Sequence, residues 1–289
     1  MPARNKADPC RWVSQGEALR HFAVYDGRTQ SQQHIRPLHW YVTCRLVLEG
    51  GFHPDDLKPR PPFRITRRRK KNLIHFDPST ATGGEATVFG GLKTKKVDVV
   101  VTKPQLGPVL AVSCKGITGA FRNLTNRMEE TIGECTNLHI TYPALAFGYF
   151  FVIRANRASD AMATNDIAMT TEDRPVEAII RFHSALRELA GRRGIRNDIS
   201  RYEAAALALV KIRNGGTASR LMTGFPPESS PLHAGSFFGT LYRRYDERFV
   251  YGAPDLKSVT QRLEWSPESP ALIENEDRLT DYGVRLADV

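Results

Sequence analysis

Between residues 97 and 212, short apolar runs alternate with longer amphipathic stretches, and this alternation confines the chain to the α/β class. Residues 97–101 (Val-Asp-Val-Val-Val) read as a buried strand interrupted only by Asp98. Residues 104–108 (Pro-Gln-Leu-Gly-Pro) form a turn, and residues 109–115 (Val-Leu-Ala-Val-Ser-Cys-Lys) return as a second strand. Because strand side chains alternate, Val109, Ala111, Ser113 and Lys115 are expected on one face and Leu110, Val112 and Cys114 on the other. A helix is expected over residues 123–138, with Leu124, Met128, Thr131, Ile132 and Cys135 at helical spacing. Residues 145–153 are a further apolar strand, and residues 175–190 a second amphipathic helix carrying Ile179, Phe182, Leu186 and Leu189. Residues 205–212 suit helix or strand, and their place in the series favours a strand.

This order predicts a three-layer α/β/α sandwich around a mixed sheet, with a core over residues 83–215. Residues 1–82 are read as an N-terminal basic region and residues 216–289 as an appendage packed on the core. Within the first region, residues 41–47 are mildly alternating and strand-like until Gly50 and Gly51 break the pattern. Residues 64–71 (Arg-Ile-Thr-Arg-Arg-Arg-Lys-Lys) are either a solvated charged face or a phosphate-contacting arm.

The 289 residues are 41% hydrophobic and 25% charged, an ordinary globular balance, and no apolar run approaches the roughly 18 residues of a membrane span. The N-terminus is polar, so no signal peptide is expected. Cys10, Cys44, Cys114 and Cys135 are scattered with no C-x-x-C pair, which argues against a zinc site or disulfide framework and fits a reducing cytosol. Cys114 and Cys135 lie in apolar sequence and read as core residues. A formal charge of +10 points to a polyanionic partner, since Lys and Arg gain affinity by releasing counterions from phosphates. No P-loop, G-x-G-x-x-G, H-E-x-x-H or G-x-S-x-G motif is present, so nucleotide-dependent, zinc-protease and serine-hydrolase chemistry have no support.

The chemistry-bearing residues cluster on the first hairpin and its helix. Asp98 stands at a strand start, Lys115 at a strand end, and Glu129 near the edge of the expected helical stripe. Hydrolysis of a phosphodiester needs an activated water, neutralised transition-state charge and a stabilised leaving oxygen. Mg²⁺ held by one or two carboxylates, with a lysine beside the water, meets that need. Glu130 and Glu134 are alternatives to Glu129 on the same helix, and Glu85 is a possible further acid in a loop. Ser113 reads as a small packing residue, and His139 as a helix-end residue facing a cap or solvent.

Asp98, the Ser113-Cys-Lys115 tripeptide and Glu129 resemble the PD-(D/E)XK nuclease superfamily, in the form of a subset of type II restriction endonucleases. In that subset serine replaces the acid two positions before the lysine, and a glutamate 13 or 14 residues after the lysine takes over its role. The match covers roughly residues 85–213, and Val97 stands where the signature has proline. The resemblance implies a restriction-endonuclease-like β-β-β-α-β core, Mg²⁺ bound by Asp98 and Glu129, catalysis by these with Lys115, and products with a 5′-phosphate. It further implies a homodimer on double-stranded DNA in a prokaryotic cytoplasm, with a separate protective methyltransferase. By analogy, Arg122, Asn123, Asn126 and Arg127 are the base-reading candidates, since Arg pairs with guanine and Asn with adenine in the major groove. Arg67, Arg68 and Arg69 are candidate phosphate contacts. Two other readings remain open: a repair, recombination or phage-defence nuclease of the same fold, and a non-catalytic DNA-binding protein.

Overall fold

The computed structural model describes residues 11–27, 32–119, 121–158, 166–212 and 219–288. Cys10 and the Arg122 side chain lie outside the described set. In chain order the elements are helices α1 (Gln15–Val24) and α2 (Arg36–Leu48), the short strand β1 (Leu57–Lys58), and the hairpins β2 (Phe63–Arg68) with β3 (Lys71–Phe76) and β4 (Ala86–Phe89) with β5 (Thr94–Val97). Then come β6 (Val99–Lys103), β7 (Gly107–Ile117), α3 (Leu124–Thr141), β8 (Ala146–Arg154), α4 (Glu177–Glu188), β9 (Ala204–Ile212), β10 (Ser219–Leu221) and α5 (Ala234–Tyr245).

The main sheet has the order β1-β6-β7-β8-β9-β10. β7, β8 and β9 run parallel, while β6 and β10 pair antiparallel at either side, so the sheet is mixed. The two parallel connections pass through α3 and α4, which pack on the same face, as successive crossovers of one hand moving in one direction require. That face is lined by Ala111, Phe147, Tyr149, Phe151, Ala205 and Leu207. The opposite face presents Val112, Cys114, Phe150, Val152, Ala206 and Ala208 to α1, α2 and α5. Helices therefore cover both faces, and the alternation along β7 to β9 follows from the two-residue period of a strand.

Three local expectations change. Residues 41–47 are helical, inside α2. Ten of its thirteen residues are buried, so the helix is apolar nearly all round and lacks the polar face that would reveal a 3.6-residue period. Val109 joins the Leu110 face rather than the Ala111 face. Val101 pairs with Leu110 and Thr102 with Pro108, so Val109 is the extra residue of a β-bulge that resets the alternation. His139 is 1% exposed, within hydrogen-bonding distance of the Ile199 carbonyl, and 3.4 Å from Glu203. It is part of the interior.

Residues from the two flanking regions share the cores of the sheet. Trp12, Phe22 and Tyr41 pack in one cluster with Val99, Phe150, Phe237 and Trp265. The helices and strands of residues 97–212 lie where expected to within a few residues.

Candidate active site

Asp98 occupies the bend between β5 and β6, beside the point where β6 pairs with β7. Val99 is opposite Val112, so Asp98 falls next to Ser113 across the hairpin. Its Oδ2 accepts from the Cys114 backbone N at 2.7 Å and from Lys115 Nζ at 2.8 Å. Asp98 is 1% exposed and the Lys115 side chain 24% exposed, so the lysine forms the solvent side of the pair. Burial by itself would raise the Asp98 carboxyl, but the charge and hydrogen bond of Lys115, with the Cys114 backbone N–H, hold it below the usual aspartate value. Burial would likewise lower Lys115, and Asp98 with Glu134 overcomes this and raises it, so the ammonium is charged at neutral pH.

The helical acid that joins this pair is Glu134. Its Oε2 accepts from Ser113 Oγ at 3.0 Å, and the same hydroxyl lies 3.4 Å from Asp98 Oδ2. One serine oxygen thus spans the two carboxylates. Glu134 is 5% exposed, and burial raises its carboxyl against the opposing pull of Lys115 and Lys95. Lys95 on β5 places its Nζ 3.7 Å from Glu134 Oε1 and contributes a second cation to the site.

Glu129 does not enter this group. It is exposed on α3, as is Glu130, which pairs with Arg127. The residues of α3 that face the sheet are Leu124, Thr131, Cys135 and Leu138, whereas Ile132 is 40% exposed. At about 100° per residue, the centre of that stripe lies about 70° from Glu134 and about 150° from Glu129. Counting Ile132 as buried tilts the expected stripe toward Glu129, and the sheet lies on the other side. A stripe drawn through Leu138 as well as Leu124 would have found Glu134.

Sequence reasoning also missed His39 and Lys95. His39 projects from α2, with Nε2 3.8 Å from Asp98 Oδ1. Burial lowers its imidazole to about 4, with Asp98 pulling the other way, so the ring is neutral at pH 7. His39 lies just before the run read as strand-like, residues 41–47, and drew no reading of its own, and Lys95 stands in a basic segment of several lysines.

The β4–β5 hairpin is fastened to α3 through Asn137. Its Oδ1 accepts from the backbone N of Leu92 and of Lys93, and its Nδ2 donates to the Lys93 carbonyl at 2.9 Å. Gly90 and Gly91 form the turn because a Cβ there would approach Asn137 and Ile140 to 2.0 Å. This latch holds β5, and with it Lys95 and Asp98, against the helix that carries Glu134.

Asn123 and Asn126 are exposed at the start of α3, and Asn123 makes no side-chain cap. Arg67 and Arg68 end β2, and Arg69 and Lys70 form a two-residue turn with φ of 48° and 68°. Two successive positive φ values mark the hairpin turn whose twist matches the strands. This places an exposed cationic tip on β2–β3. Glu85 is half-buried in the loop before β4.

Asp98 Oδ1, Glu134 Oε1 and His39 Nε2 are buried and have no hydrogen-bond partner. Carboxylate oxygens and a neutral imidazole nitrogen are lone-pair donors of the kind that hold a divalent cation, and Lys115 and Lys95 already lie beside the two carboxylates. Among the described residues no group of three or more His, Cys, Asp or Glu side chains is placed to hold a metal ion. No known protein family, curated protein or solved structure matches this chain.

Proposed function

We propose that this chain is a divalent-metal-dependent nuclease that hydrolyses phosphodiester bonds of double-stranded DNA, with Asp98, Glu134 and Lys115 as its catalytic group. The observation that carries this reading is the buried Asp98–Lys115 ion pair joined through Ser113 to a second buried carboxylate, Glu134. Proteins rarely bury two carboxylates around one hydroxyl without a cation to balance them, and here Lys115 and Lys95 lie beside them.

Asp98 and Glu134 would hold Mg²⁺, which would supply Lewis-acid activation of water and of the phosphate. Lys115 would position the attacking water and stabilise charge developing on the phosphate, which its held positive charge and its solvent side allow. Ser113 would orient both carboxylates, and Lys95 would balance Glu134 or meet a phosphate oxygen. The restriction-endonuclease-like core is part of this reading. An antiparallel β6–β7 hairpin followed by α3 and parallel β8 supports it. So do the +10 charge and the cationic β2–β3 tip, as phosphate contacts.

Within that class we favour a type II restriction endonuclease acting as a homodimer and leaving a 5′-phosphate. Asn123, Asn126, Arg127 and Arg122 would read bases, and a separate methyltransferase would protect the host. Among the described residues no helix is long and apolar enough to cross a membrane.

The test is digestion of unmethylated and methylated phage DNA by wild-type protein and Lys115→Ala with Mg²⁺. Discrete bands lost in the variant would support a site-specific nuclease centred on Lys115. A smear lost in the variant would move the protein to repair or phage defence. Binding without cleavage under all conditions would overturn the catalytic reading in favour of a DNA-binding protein.

A further inference from the structure

Away from Asp98, Glu134 and Lys115, a cavity of about 200 Å³ lies between α5, the turn after α4 and the first residues of β9. Its walls follow from the sequence. Ser236, Thr240, Arg243 and Arg244 line it from positions i, i+4, i+7 and i+8 of α5, which share one helical face. A second wall comes from the turn after α4, where Gly191 has a φ of 86° and Arg193 follows. Ala190, Ala204 and Ala205 contribute only methyl groups, which leaves the space between the walls open.

Three arginines thus share one small cavity. Arg244 is answered by Glu247. The Arg193 and Arg243 side chains are exposed and, among the described residues, make no hydrogen bond or ion pair. Glu203 also lines the cavity, but its carboxylate is already held by Arg192 at 2.7 Å and Arg248 at 2.8 Å. Two arginines on one carboxylate leave that cluster positive as well. Burial, with the charges of Arg192 and Arg244, accordingly pulls the Arg248 guanidinium below its ordinary value against the influence of Glu203.

We infer that this cavity binds a phosphate group through Arg193, Arg243 and Arg244, with the Thr240 hydroxyl as a further donor. Arg193 and Arg243 leave two charges unmatched. A phosphate monoester carries about −1.5 to −2 at pH 7 and answers them better than a single carboxylate does. Guanidinium forks also pair with phosphate oxygens two at a time. Pockets for drug-sized molecules measure roughly 300–1,000 Å³, so this smaller cavity suits a phosphate and a short part of its carrier. The cavity shares no residue with the proposed nuclease centre, so its ligand is independent of that reading. The phosphate can come from a DNA backbone or from a small phosphate ester.

Inorganic phosphate is the probe, titrated at constant ionic strength into the full chain labelled with ¹⁵N-arginine and read by NMR at the arginine Nε–Hε signals. The Arg193, Arg243 and Arg244 signals, assigned with Arg193→Lys, Arg243→Lys and Arg244→Lys, should move along one saturating curve. Arg193→Gln combined with Arg243→Gln should weaken the curve read at Arg244 by at least about tenfold, the scale of one lost charge-assisted hydrogen bond. Thr240→Glu, which puts a carboxylate into the cavity from a different residue, should abolish it. Replacing Arg67, Arg68 and Arg69 by Gln removes more charge from the surface and should leave it unchanged. Acetate should bind more weakly than phosphate. Movement that never saturates, equal movement at Arg67, Arg68 and Arg69, or a curve indifferent to the double variant and to Thr240→Glu would overturn the inference. Given a saturating site, duplex affinity that falls in the double variant would assign the phosphate to a DNA backbone. Unchanged duplex affinity would assign it to a small phosphate ester.

Discussion

Glu129 and Glu134 sit on one helix and differ only in which way they face. Glu134 lies over Ser113 and Asp98, and Glu129 faces solvent, so substitution should separate them sharply. Glu134→Gln is expected to cut cleavage by about 100-fold or more, the scale of losing one preorganised electrostatic group. Glu129→Gln should stay within about twofold, as exposed substitutions do. Single-turnover cleavage rates at saturating Mg²⁺ check both, and equal losses would return the role to Glu129. Lys115→Ala should lose about 10²–10³ in the same assay while its DNA affinity changes little, because one solvent-side lysine is a small part of the cationic surface. At this scale the pairing of Asp98 with Lys115 was legible because they come from neighbouring strands, although Lys115 lies inside β7 and not at its end. Ser113 was read as a small packing residue, and its hydrogen bond to Glu134 could not be read because that partner comes from another element.

At the scale of elements, the site depends on β5 being held against α3, and Asn137 holds it there with three hydrogen bonds to the hairpin turn. Asn137→Ala should lower stability by about 1–3 kcal/mol, the cost of leaving buried partners unmade. It should also slow cleavage, because Lys95 and Asp98 flank the strand it releases. Urea unfolding beside single-turnover rates tests this, and unchanged rates with lowered stability would show that the hairpin holds its place without the latch. α2 shows why element type was not always readable. Its run of Tyr, Val, Thr and Cys carries strand propensity, but burial on every side removes the amphipathic signal and lets packing decide for helix.

On the scale of the whole molecule, a buried charge cluster ties α3, β8, β9 and the C-terminal region together. Glu203 accepts from the Phe147 backbone N at 2.8 Å, pairs with Arg192 at 2.7 Å and Arg248 at 2.8 Å, and lies 3.4 Å from His139. Burial would raise its carboxyl, but the hydrogen bond and charge of His139 and the charge of Arg248 hold it below the ordinary value of 4.5. A depressed carboxyl stabilises the fold above its unfolded value and loses that contribution as pH falls. Wild type should therefore exceed Glu203→Gln in stability at pH 7, by up to about 3–5 kcal/mol for a broken buried pair. The gap should narrow below about pH 4.5. Urea midpoints from pH 3 to pH 7 check it, and a gap independent of pH would show that packing rather than charge is lost. The cationic surface is also a molecular property. Replacing Arg67, Arg68 and Arg69 by Ala should flatten the dependence of log DNA affinity on log salt by about 0.9 for each phosphate no longer neutralised, with sequence preference unchanged.

The series of apolar and amphipathic segments alone determined the α/β class, the hairpin carrying Asp98 and Lys115, and the helices and strands that follow. Those features depend on side-chain periods of 2 and 3.6 residues, which are properties of the local chain. Tertiary structure decided which glutamate of α3 faces the sheet, that Val109 bulges, that residues 41–47 are helical, and that His39 meets Asp98. Each of these turns on what lies across a packed interface, and the contacts that set the site join residues as far apart as His39 and Asp98, beyond the reach of any local period.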